Sequence, residues 1–123
     1  MRTCKEVLDR LDVLLPNGYD RQQKLDWLRE AEGFVVQEVT GQLTGGEEAQ
    51  LPDPWTEDTL LTVPVPYDGL YLRYLERCIH YADGETERCN NASAAWNNAL
   101  LTYRDAMFRT HMPRRAVSAL RLC

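Results

Sequence analysis

The residues of this 123-residue chain that could do chemistry are four cysteines, two histidines and a surplus of carboxylates. Thiols and imidazoles hold zinc when they occur in short pairs, and a thiol beside an imidazole can act as a nucleophile with its base. Cys4, Cys78, Cys89 and Cys123 contain no CxxC, and His80 and His111 fall in no metal-ligand spacing. Cys78 and His80 are two residues apart, so on a helix they point in different directions. Cys78 and Cys89 are about 16 Å apart along the axis if one helix carries both, too far for a disulfide. The expectation is free, reduced thiols. GxGxxG, GxxxxGK[ST] and GxSxG are all absent, so neither a phosphate cradle nor a nucleophile elbow is expected. No spacing pairs two carboxylates in a pocket. The sequence therefore predicts no catalytic residue, no metal, no cofactor and no enzymatic activity.

Charge is more informative as a distribution than as the net value of −5. Residues 44–69 hold six acids (Glu47, Glu48, Asp53, Glu57, Asp58 and Asp68) and no Lys or Arg. From Arg104 onward there are five arginines and one acid, Asp105. An acidic middle and a basic tail are separable signals. The Arg114–Arg115 pair is too short for a nucleic-acid motif, and a net acidic chain is a poor general DNA binder. No apolar run approaches the roughly 18 residues that span a bilayer. The charged stretch MRTCKEVLDRLDVLL does not resemble a signal peptide, so a cytoplasmic origin is expected.

The elements that position these residues follow from periodicity. Thr3 can cap a first helix, about 3–15, whose stripe is Val7, Leu8, Leu11, Leu14 and Leu15. Pro16 and the Asn17–Gly18 turn stop it. Asp20 opens a second helix, about 20–41, with Leu25, Leu28, Ala31, Val35 and Val39 on its buried face and Gly41 as its stop. Residues 42–67 hold four prolines and the Gly45–Gly46 pair, and predict an extended acidic arm or a strap over the helices. From Asp68 an apolar stripe runs Leu72, Leu75, Ile79, Ala82, Thr86, Cys89, Ser93, Trp96, Leu100, Tyr103 and Met107 in steps of three and four. That unbroken phase predicts one long helix, about 68–109, with Gly84 as a possible kink; a hairpin turning at Ala82-Asp83-Gly84-Glu85 is the alternative. A helix of ~60 Å needs more cover than the first two helices provide, which points to other chains. The fold class is thus all-α: a small helical bundle, residues 1–112, followed by a tail, 113–123.

The stretch CNNASAAWNN, Cys89 to Asn98, raises a separate question. Asn90 and Asn97 recur seven residues apart, as do Asn91 and Asn98, so each pair repeats along one side of a helix. Asparagine is a poor interior helix residue. Four of them, with Ala94 between, predict a face that hydrogen-bonds to a close neighbour.

The stretches LLPNGYDRQQKLDWLREAEGFVVQEV and EDTLLTVPVPYDGLYLRYLERCIHYADGETERCNNASAAWNNALLTYRDAMFRTHMP resemble the small head-tail connector (adaptor) proteins of tailed bacteriophages. The likeness runs from about Leu8 to Pro113; LDWL, TVPVPYDGLY, RCNNASAAWNNA and RTHMP carry it most strongly. The resemblance implies a mostly helical subunit, about twelve copies of which form a homo-oligomeric ring under the portal protein. Such a ring extends the DNA channel in the virion neck and seats the stopper or tail protein, with DNA only a passenger and no membrane involved. On this basis Asn90, Asn91, Ala94, Asn97 and Asn98 are candidates for the subunit interface. Arg114, Arg115, Val117, Leu120 and Arg121 are candidates for portal docking. Glu47, Glu48, Asp53, Glu57 and Asp58 are candidates for a loop facing the channel or a neighbour. The alternatives are a stopper or tail-completion ring further down the neck, and a helical interaction module outside the virion.

Overall fold

A computed structural model describes residues 2–43 and 50–110. Four α-helices follow in order: α1 (Cys4–Leu14), α2 (Arg21–Glu38), α3 (Leu70–Ala82) and α4 (Thr86–Thr110). The described residues form no β-strand; an isolated antiparallel bridge joins Thr3 and Leu60. The all-α expectation holds.

The start of α1 is a capping box. The Glu6 N–H donates to the Thr3 hydroxyl and the Glu6 carboxylate faces the Thr3 N–H, so two of the orphan donors of the first turn are satisfied. The helix ends at Leu14, two residues before Pro16. Asp20 does stand at the N-cap of α2, but its side chain makes no capping hydrogen bond there. The backbone leaves the helix at Val39 and makes one 3-10 turn, Thr40–Gln42. Gly41 fits this exit because a β-carbon there would lie 2.8 Å from the Val36 carbonyl oxygen.

The single long helix expected over 68–109 is not formed. Gly84 adopts φ 76°, and the chain reverses over Asp83–Glu85 into an α3–α4 hairpin. The Glu85 N–H donates to the His80 carbonyl (2.9 Å) and the Gly84 N–H to that of Tyr81 (3.1 Å). This is a Schellman stop, which needs a left-handed residue where only glycine sits without strain. The unbroken stripe is consistent with this: each helix turns its apolar side to the other, and a three-residue link happens to preserve the step of three and four. The cover that seemed to require other chains is supplied by the fold itself, since α3 and α4 form the most extensive helix pair.

The core sits where α1, α2, α3 and the second half of residues 50–69 converge. Leu8, Leu11, Leu28, Ala31, Val35, Leu70, Tyr71 and Leu75 are fully buried in it. Trp96 and Tyr103 bring α4 onto the same cluster. The proline-rich segment contributes Leu61 and Val63, both buried. It is therefore a strap integrated into the core. The carbonyls of Glu57 and Thr59 accept from the N–H groups of Lys5 and Cys4, and the Leu61 N–H donates to the Arg2 carbonyl. The first two of these bonds satisfy orphan donors at the start of α1.

Candidate functional site

Glu32 is the most unexpected side chain of the interior. It lies on α2 between Leu28 and Val35, is 1% exposed, and has no cationic partner among the described residues. Its carboxylate accepts from the Thr62 N–H (2.9 Å), the Thr62 hydroxyl (3.2 Å) and the Tyr71 hydroxyl (2.7 Å). Tyr71 in turn accepts from the Val63 N–H at 3.1 Å. A buried carboxylate without donors would cost several kcal/mol, so these four hydrogen bonds allow it to remain. They also fasten the strap to α2 and α3 at one point. Burial, then the nearby Glu32 charge, pushes the Tyr71 and Tyr103 hydroxyls up from their ordinary value. The same two causes raise the Cys4 thiol to about 12.

A second polar cluster lies at the α1–α2 corner. Arg21 reaches Asp9 (3.1 Å), Asp12 (3.2 Å) and Glu57, and the buried Lys24 reaches Asp12 at 2.7 Å. Burial alone would raise the Asp12 carboxyl; hydrogen bonds and charge from Lys24 and Arg21 outweigh it and hold Asp12 below its ordinary value. Arg2 pairs with Asp68 at 2.5 Å at the other end of the strap. These contacts tie both halves of the strap to the N-terminal helices.

The opposite side is built differently. Phe34 on α2, Tyr74 on α3 and Trp96 on α4 form an aromatic cluster with ring centroids 5.0–6.3 Å apart, in tilted and edge-to-face geometries that favour such rings. They floor a groove of about 600 Å3 between α2 and the hairpin, rimmed by Glu38, Arg77, Asn97, Leu101 and Arg104. Past Tyr74 and Arg77 it continues into a second hollow of about 570 Å3, beside Tyr19, Trp27 and Tyr81. Arg77 lies over the Tyr74 ring and donates to Ser93 at 3.0 Å; Arg104 lies over Phe108.

The candidate interface residues Asn90, Asn91, Ala94, Asn97 and Asn98 are all exposed. Asn90 and Asn97 share a stripe of α4 with Leu101 and Arg104, which places the edge of that face on the groove. Asn91, Ala94 and Asn98 form the adjacent stripe. Of the acidic-loop candidates, Asp53 and Asp58 are exposed, while Glu57 is held by Arg21. Glu47 and Glu48 lie outside the described residues, as do the portal-docking candidates Arg114, Arg115, Val117, Leu120 and Arg121.

The hairpin also revises the geometry of the cysteines. Cys78 and Cys89 stand on separate helices, symmetrically placed about the turn, and not on one rod; both are free thiols, as is Cys4. Burial, with Glu30 nearby, pushes Cys78 up to about 12, so it is protonated at neutral pH. The His80 Nδ1 lies 3.4 Å from the Glu85 carboxylate across the turn. No group of three His, Cys, Asp or Glu side chains suited to a metal ion occurs among the described residues.

Sequence reasoning missed Glu32 and Lys24. Their positions were legible: Lys24, Leu28, Glu32, Val35 and Val39 follow steps of four, four, three and four along one face. Charge type argued against burial and outweighed spacing. The chain matches no family model, no curated protein and no solved structure.

Proposed function

We propose that the protein is a structural connector of a tailed phage: a helical subunit that forms a ring beneath the portal, extends the DNA channel in the virion neck and seats the next ring or the tail. The resemblance over residues 8–113 brings the reading forward. The single observation that supports it most is the face of α4. From Cys89 to Tyr103 the helix carries no charged residue, and Asn90, Asn91, Ala94, Asn97 and Asn98 are all solvent-exposed. Packing against a second copy there would desolvate amides that can pair with each other and would bury no ion. Free subunits with such a face stay less adhesive than leucines would make them. The basic segment at 114–121 is the proposed portal contact, where many weak contacts act together in a ring.

The test is the mass of the purified protein by light scattering, alone and mixed with portal rings from the same genome. Co-elution at about twelve copies per portal is the expected result. A protein that ignores the portal would move the assignment to a ring lower in the neck or to a module outside the virion. Replacing both Asn90 and Asn97 by Leu is expected to cause association before the portal is added. A variant that stays monomeric and still assembles normally would remove the α4 face from the interface.

A further inference from the structure

Two separate surfaces of the subunit carry charges that no partner of opposite sign neutralises, and the two surfaces differ in sign. The first is the groove between α2 and the hairpin. Its rim holds Arg77 and Arg104 against one carboxylate, Glu38, and among the described residues neither arginine joins an ion pair: they rest on Ser93 and on the Tyr74 and Phe108 rings. Phe34 and Leu101 open the apolar floor to solvent, at 44% and 49% exposed. The second surface is the outer edge of the strap. Asp53 and Asp58 are exposed and join no ion pair among the described residues, unlike Glu57 beside them. Leu60 is 56% and Val65 65% exposed in the same segment.

We infer that the groove of one subunit receives the strap edge of a second copy, with Leu60 and Val65 against the aromatic floor and Asp53 and Asp58 facing Arg77 and Arg104. The occupant is specified by chemistry: a partner with exposed aliphatic groups and carboxylates that join no ion pair among the described residues, which residues 53–65 of this chain themselves present. Groove and strap are different surfaces, so the contact is head-to-tail; it repeats from copy to copy and ends only by closing on itself. The inference rests on the ring reading proposed above and specifies which surfaces meet. Asn97 stands on the groove rim, so the neutral face of α4 flanks the same contact.

A charge swap tests it on the full chain. One variant carries Arg77→Glu and Arg104→Glu, a second carries Asp53→Lys and Asp58→Lys, and a third carries all four. Sedimentation gives the assembly state, and circular dichroism melting verifies that each variant is folded. Each half-swap places like charges across the contact and is expected to weaken assembly about 100-fold. The four-fold variant restores opposite charges and is expected to recover assembly to within about tenfold of the wild type. Half-swaps that assemble like the wild type would overturn this contact and leave the ring intact. So would a loss that the four-fold variant does not repair, or a second protein that alone fills the groove. A wild type that remains monomeric both alone and with portal would overturn the ring reading itself.

Discussion

The strap side and the hairpin side of this small protein are held together by different interactions. On the strap side, polar groups converge: Glu32 gathers donors from two other segments, Arg21 binds three carboxylates, and Lys24 is buried against Asp12. On the hairpin side, α3 and α4 meet through rings and aliphatics, and the outer face of α4 has no charge from Cys89 to Tyr103. Directional bonds fix one arrangement of a segment that has no helical periodicity to guide it. Helices with apolar stripes need less such direction, because their ridges and grooves already fix the packing. The side held by rings leaves amides exposed and two arginines outside any ion pair among the described residues, whereas the side held by ions leaves Asp53 and Asp58 so.

The comparison can be broken most severely at Trp96, whose ring closes the aromatic cluster from α4. Trp96→Ala is expected to lower stability by about 4 kcal/mol, read as a fall in Tm of about 15 °C. A loss below about 1 kcal/mol would mean that α4 is held by something other than the rings. Glu32→Ala comes next. It strands the Thr62 and Tyr71 donors and is expected to cost about 3 kcal/mol, with new protease sensitivity confined to the strap. If chemical denaturation shows Glu32→Ala unchanged, the strap is held by its apolar anchors Leu61 and Val63 and its contacts with α1 and Arg21, without need of Glu32. Gly84→Ala forces a β-carbon into a left-handed turn and is expected to cost about 1 kcal/mol, seen as a shifted urea midpoint with an unchanged slope. An unchanged midpoint would show that the turn is not strained by a side chain.

The smallest expected effect is one of pH. Asp12 is held below its ordinary value of 3.8 in the folded chain. The stability it contributes is therefore fully present above that value and is lost as pH falls through the lower folded value. Asp12→Asn should flatten the stability profile in that acidic window and leave the shape above about pH 5 unaltered. A profile as steep as that of the wild type would assign the acid sensitivity to another carboxylate.

Much of this architecture is legible in the residues. The Thr3 cap, the burial of Val7, Leu8 and Leu11 on α1 and that of Leu25, Leu28, Ala31, Val35 and Val39 on α2 follow from spacing, whereas Leu14, expected on the α1 stripe, is 58% exposed beside the helix end. The hairpin does not, because periodicity records which side of a helix is apolar and is blind to a short reversal that keeps the phase; only Gly84, taken at full weight, signals it. The strap network is illegible for another reason. A carboxylate at a core position is destabilising until its donors are known, and those donors come from residues 30 and 39 positions away. The candidate face of α4 was visible from composition alone. The groove beside it was not, since it is made jointly by α2 and a hairpin whose existence spacing conceals.

The two connections flanking α3 differ in length in a way that orders events during folding. Only Asp83–Glu85 separates α3 from α4, whereas residues 39–69 separate α2 from α3. Closing the short link costs little chain entropy, so the hairpin can nucleate from local contacts. The Glu32 hydrogen bonds reward a far larger closure only after the strap has been threaded between helices already in place. The protein thus forms its neutral α4 surface early and docks its strap late.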